Sequence, residues 1–351
     1  MKNWLLSFVV VGALVTGCTT DIDINAPYEE NTVVYGLLDF SDTTHILKIG
    51  RTFLGEANAF DMAQQFDSLY YGDTIEVTLT DETTGDVFPF EYFIDNNKPG
   101  GIFASPDQVL YRSNIDLDEE HTYRLQIVTA ENKPPVEAET NLVEGYRIVR
   151  PTTLQAVNLA NPNGFNVEWK SAVNGKTYEL WAEVTYLETN RFDIADSTMK
   201  TVQWRIKNDI ESRGITGTED MDYEIQYPSF FTFMSSVVPV NENVNRYLRG
   251  IRFYVSASTE EFALYQQIYE PQTGIVQDRP PYTNVINGVG LFSSRHSENV
   301  YTERILRNPA NPQDRNWTND SLACSQITNG LRFAWYDVLP ANNQVDTFFC
   351  D

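Results

Sequence analysis

The stretch 178-YELWAEVTY-186 decides the fold class. Tyr178, Leu180, Ala182, Val184 and Tyr186 occupy one side of a period-two alternation, while Glu179, Glu183 and Thr185 occupy the other. A β-strand sends successive side chains to opposite faces of its sheet, so this segment reads as a strand with one face in a core and the other toward solvent. Trp181 falls on the side of the glutamates and is expected to face outward or against an inserted segment. Immediately upstream, 165-FNVEW-169 repeats the pattern with Phe165, Val167 and Trp169 on one face.

The same signal extends in both directions. From Thr32 to about Leu142 come "TVVYGLLDF", "HILKIGRTF", "TIEVTLTD", "FPFEYFI", "HTYRLQIVTA" and "PVEAETNLV", short runs rich in β-branched and aromatic residues and separated by polar turns such as "DETTGD". Further strands are expected at "TVQWRI", "YEIQY", "FFTFMSSV" and "YLRGIRFYVSAS". Closely spaced short strands with turn signals between them argue for sandwiches. The chain is therefore expected to be mostly β, with two β-sandwich domains, 31–149 and 150–351, and short helical insertions. One insertion is "GEANAFDMAQQFDSLYY", read as a single short helix. The other is "FALYQQIYE", where Ser258 and Glu261 have capping-box spacing and Phe262, Tyr265, Ile268 and Tyr269 form one stripe.

The amino terminus carries a different message. Lys2 precedes an apolar run from Trp4 to Val15 that is too short to span a bilayer, which needs about 20 residues. Residues 1–17 thus read as a secretory leader. Residues 18–30, with Asp21, Asp23, Glu29, Glu30 and Pro27, read as a tether. The chain's formal charge of −24, one unit more negative without Lys2, argues against nucleic acid, which requires a basic face. Cys324 and Cys350 are expected to pair in an oxidising compartment, against the alternative of two buried thiols.

The residues 15-VTGC-18 resemble the lipobox of bacterial lipoproteins, which implies a lipid on Cys18 and an outer-membrane anchor. Asp21 and Asp23 are similar to the signal that carries Bacteroidota lipoproteins to the cell surface. The spacing of 165-FNVEW-169 and 178-YELWAEVTY-186 is similar to the B and C strands of a fibronectin-III or immunoglobulin-like sandwich, which implies a core role for Trp169. The lipobox followed by "DIDINAP", with "VVYGLLDF", "IGRTF", "STEEFALYQQIYE" and above all 283-TNVINGVGLF-292, resembles a Bacteroidota outer-membrane lipoprotein family characterised only as a domain of unknown function. That resemblance implies association with TonB-dependent transporters of the starch-utilisation type, and it supplies no catalytic residue. Five segments starting at Asp42, Asp67, Asp73, Asp196 and Asp320 are similar to the Asp-Ser/Thr-aliphatic-or-Thr sequence that Bacteroidota glycosylate.

Residues that carry chemistry are sparse. His45, His121 and His296 are each isolated in sequence and read as surface or turn histidines. Neither G-x-S-x-G nor HExxH occurs, and "NGVG" at 287–290 lacks the Lys-Ser/Thr of a phosphate loop, so its glycines read as a strand bulge or a close backbone approach. "DLDEE" at 116–120 and "EDMD" at 219–222 lack calcium-loop spacing. No enzyme activity, cofactor or metal is expected. The expected function is an accessory of an outer-membrane transporter or complex, with Trp181 and Tyr282 as partner anchors. The alternative is a free-standing surface module for a glycan or peptide ligand.

Overall fold

The structure, a computed structural model, describes residues 30–53, 58–130, 132–269, 282–302 and 317–334. The leader, Cys18, most of the tether and Cys350 lie outside the described residues. Cys324 is disulfide-bonded, with its partner outside them as well.

The first half of the chain forms β1 (Thr32–Leu38), β2 (Thr44–Arg51), β3 (Glu76–Asp81), β4 (Val87–Pro89), β5 (Glu91–Asp95), β6 (Gln108–Asn114), β7 (Thr122–Val128) and β8 (Val136–Asn141). The second half forms β9 (Ile148–Arg150), β10 (Phe165–Lys170), β11 (Thr177–Asn190), β12 (Ser197–Glu211), β13 (Asp220–Ile225), β14 (Val244–Ser258) and β15 (Gly288–Thr302). Among the described residues, five short α-helices accompany them: α1 (Ala59–Ala63), α2 (Phe66–Leu69), α3 (Ser229–Val237), α4 (Glu260–Tyr269) and α5 (Thr318–Cys324). The protein is mostly β, as the alternations require.

Three sheets make two sandwiches. The largest runs β12-β11-β14-β15-β1-β2-β6-β5; β4-β3-β7-β8 covers one half of it and β13-β10-β9 the other. In the second sandwich, β13-β10-β9 lies opposite β12-β11-β14-β15, with β10 and β11 consecutive in the chain but in opposite sheets. Trp169 is buried between the sheets with Tyr178, Leu180, Phe253 and Val255, as its phase demands. The first core joins Val34, Leu47 and Ile49 to Val77, Leu79, Leu125 and Ile127. The core changes hands between Leu142 and Val143, and β9 already pairs with β10.

One strand belongs to both sandwiches. Gly288 to Ser294 of β15 pairs in parallel with β1, and Arg295 to Thr302 pairs antiparallel with β14. This explains 283-TNVINGVGLF-292. The Asn284 side chain accepts from the Phe292 N–H at 3.0 Å and donates to the Phe292 carbonyl, supplying the pairing that β14 does not reach. Asn287 takes a left-handed φ of 59° and donates to the Pro135 carbonyl at 2.8 Å. Phe292 and Val285 enter the first core. The register with β1 is continuous, so there is no bulge here. Gly290 sits at φ +123°, where a Cβ would lie 2.0 Å from the Val34 carbonyl oxygen, so a close approach is what excludes any side chain.

A polar seam closes the junction. The Ser294 hydroxyl donates to the Leu38 carbonyl and accepts from the Val143 N–H, each at 2.9 Å. Next to it, His296 Nδ1 meets Asp39 Oδ1 at 2.8 Å, between Phe40 and Tyr146. On the far edge, the wholly buried Arg246 pairs with Glu188 at 2.8 Å and donates to the Leu331 and Pro239 carbonyls, tying the 317–334 segment to β14.

Several local expectations change. "FFTFMSSV" is helix α3, because Phe230, Phe231 and Met234 bury one helical face and outweigh the β-preference of phenylalanine. "FPFEYFI" is two strands in opposite sheets that part at the buried Phe90. "GEANAFDMAQQFDSLYY" holds two helices rather than one, broken at Gln64 and Gln65. Helix α4 forms as its stripe requires, but it starts one residue late: the Thr259 carbonyl accepts from the Ala263 N–H, and Ser258 remains in β14. His45 and His296 are buried rather than superficial, and His296 lies inside β15. His121 is half-buried and bonds Asp81 at 2.7 Å, while Glu30, placed in the tether, is held by Arg51 at 3.2 Å.

Candidate functional site

The outward residues of β11 and β14 build the site. Strand alternation that buries Leu180 and Ala182 necessarily projects Glu179, Trp181 and Glu183 away from the core. Trp181 pairs in register with Tyr254 of β14, and the two rings stack with centroids 3.8 Å apart and planes 1° from parallel. The indole N–H donates to the Ser256 hydroxyl at 3.3 Å, and the Tyr254 hydroxyl donates to Glu183 at 2.9 Å. Each ring is fixed by a polar contact at its edge, so the pair forms a rigid aromatic platform with little rotamer freedom left to lose.

Beside the platform, a cleft of about 460 Å³ opens between this sheet face and α4. Its walls include Glu179, Arg205, Asn208, Asp209, Tyr265 and Arg295. Arg295 Nη2 lies 3.2 Å from Glu179 Oε2. The cleft exists because β12 loses register with β11 twice, between Tyr178 and Leu180 and between Leu180 and Trp181, with Asp209 at a left-handed φ of 58°. Bulges of this kind bend a strand and redirect its side chains, and here they turn the edge of β12 around the recess. Helix α4 is held over it by the Thr259–Ser293 hydroxyl pair at 2.6 Å.

Across α4, Tyr265 meets Tyr35 of β1 edge to face at 6.3 Å. Tyr35 lines a second recess of about 500 Å³ between β1, β2 and the excursion that carries α1 and α2. The outer face of the long sheet therefore has a recess on either side of one helix.

The two expected anchors stand differently. Trp181 is in the platform, half-buried. Tyr282 is half-buried near the first turn of α4; burial raises its phenol, and the charges of Glu261 and Glu260 act in the same direction. Strand phase singled out Trp181. The helical stripe named Tyr265, but nothing in the sequence signalled Arg205 or Asp209 or their meeting with that helix, since the bulges and the docking of α4 bring them together.

Chemically, the cleft offers charged and amide groups beside aromatic faces. Among the described residues, its lining holds neither histidine nor cysteine. Among the described residues, no group of three or more His, Cys, Asp or Glu side chains is arranged to hold a metal. No described helix is long and apolar enough to cross a membrane. Among the sites similar to glycan acceptors, Thr43, Thr74 and Ser197 are exposed in turns or at strand starts, whereas Ser68 and Ser321 are partly covered in helices. No family model and no curated protein matches the chain.

Proposed function

We propose that the chain is a lipid-anchored binding protein of the outer membrane that serves a transporter or other surface complex as a non-catalytic partner. The observation that carries this reading is the aromatic platform of Trp181 and Tyr254 beside the α4 cleft. Trp, Tyr and Arg are the residue types in which binding energy concentrates, and a platform already fixed pays little ordering entropy on association. The lipobox supports the anchor, and the acidic exterior keeps the rest of the surface from adhering unspecifically.

The test is crosslinking in whole cells followed by affinity purification of the tagged full chain from solubilised membranes. Alanine at Trp181 and Tyr282 should reduce recovery of the partner while circular dichroism stays unchanged. Cys18→Ser should release the chain from the membrane fraction. Retention of the partner by the double variant would reject the platform as anchor, and finding no crosslinked partner would reject the accessory role.

The alternative, a free-standing module for a glycan or peptide, draws on one specific feature: Arg205, the cross-strand partner of Trp181 on β12, lines the cleft together with Glu179 and Asn208, a hydrogen-bonding rim on the strands that carry the platform. Saturable quenching of tryptophan fluorescence by an isolated glycan or peptide, lost in Trp181→Ala, would favour it.

A further inference from the structure

The second recess has a charge character opposite to the rest of the chain. The sequence holds 49 acidic against 25 basic residues, yet the recess is lined by Lys48, Arg51 and Lys98 and by no acid among the described residues. Arg51 is already neutralised by Glu30 at 3.2 Å. Lys98 donates to the Ala104 carbonyl at 2.7 Å and lies 5.7 Å from the Phe103 ring, so neutral groups rather than a carboxylate hold it. Lys48 projects from β2 opposite Tyr35, and no carboxylate pairs with it among the described residues. The other walls are apolar or aromatic: Val33, Tyr35, Phe53, Leu69, Tyr70 and Phe103.

Two ammonium groups lining one recess without a counter-charge repel each other, and the partial burial of Lys98 removes some of the water that would screen it from the exposed Lys48. Lys98 registers the cost. Burial first, and the charge of Lys48 second, lower its pKa from the ordinary lysine value. An anion between the two would relieve that repulsion and gain charge-assisted hydrogen bonds, while the aromatic walls would take up an apolar body.

We propose that this recess binds a small organic acid, its carboxylate held between Lys48 and Lys98 and its apolar or aromatic body packed against Tyr35, Tyr70 and Phe103. The volume of about 500 Å³ lies within the usual range for small-molecule sites. The site is separate from the Trp181 platform and does not depend on the proposed partner. It shares with that surface only the Tyr35–Tyr265 contact, which places an occupant of the recess one residue from the helix that roofs the cleft.

Isothermal titration of the full chain with phenylacetate, 3-phenylpropionate and octanoate, each beside its neutral amide, tests the proposal. At least one acid should bind saturably and more tightly than its amide. Lys48→Gln and Lys98→Gln should each weaken it about tenfold, Lys48→Arg should retain most of the affinity, and Arg205→Gln in the neighbouring cleft should have no effect. Circular dichroism guards against misfolding, and Lys48 is exposed enough that its loss leaves the core intact. Equal binding of acid and amide, undiminished affinity in both glutamine variants, or no saturable binding by any of the three acids would overturn it.

Discussion

Trp181 and Tyr254 lie face to face on the outside of the long sheet, on neighbouring antiparallel strands, with ring centroids 3.8 Å apart. A cross-strand aromatic pair stabilises a sheet by about 1 kcal/mol beyond the area it buries. Trp181→Ala should therefore lower stability by about 1 kcal/mol in urea denaturation, with a single cooperative transition preserved. A loss of more than about 3 kcal/mol, the scale of a core aromatic, would mean that Trp181 supports the fold rather than a surface.

His296 and Asp39 hold the seam between the sandwiches. Burial by itself would lower the imidazole and raise the carboxyl; their mutual hydrogen bond and charge reverse both shifts, aided by Glu298 at the imidazole and by hydrogen bonds from Ser41 at the carboxyl. His296 is raised above 6.5, so its contribution is fully present below 6.5 and is lost as pH rises through the higher folded value. Asp39 is lowered below 3.8, so its contribution is present above 3.8 and is lost as pH falls through the lower folded value. The stability difference between the wild type and His296→Gln should thus be larger at pH 6 than at pH 8. A difference independent of pH across that interval would show that folding leaves the imidazole unshifted, and a smaller difference at pH 6 than at pH 8 would show that burial outweighs the Asp39 contact.

Gly290 admits no side chain. A Cβ would meet the Val34 carbonyl oxygen at 2.0 Å, and φ +123° is closed to L-residues. Gly290→Ala should cost about 3 kcal/mol or more and separate β15 from β1. Hydrogen exchange should then quicken at the β1 amides while β11 stays protected. Gly330→Ala, with open space around it, serves as the control.

Arg246 is buried with every donor group engaged by Glu188 or a backbone carbonyl. Removing Arg246 leaves Glu188 to Lys200 alone and strands the Leu331 and Pro239 carbonyls in the interior, at a cost of about 3 kcal/mol. Arg246→Met should show that loss by denaturation, and the double variant with Glu188→Gln should recover part of it. Full additivity of the two changes would argue that the pair is not coupled.

Local patterns determined most of the architecture. Alternation at 178–186 and 165–169 specified which face of β11 and β10 enters the core, because the strand period is set by backbone geometry and tolerates no slip when one face is buried. The same phase placed Trp181 outside. Periodicity failed at Phe230 to Met234, where an aromatic run suits a helix or a strand equally until packing chooses between them.

What the tertiary structure alone decided is the joining of the halves and the chemistry of the surface. The parallel pairing of β1 with β15 links residues more than 250 positions apart, and no local signal specifies a long-range partner. That pairing buries His296 beside Asp39, although the histidine reads as a surface or turn residue in isolation. It also docks α4 between two recesses. The lysines at 48 and 98 are 50 residues apart in a strongly acidic chain, and only the folding of β2 and the loop before β6 onto one face sets them side by side.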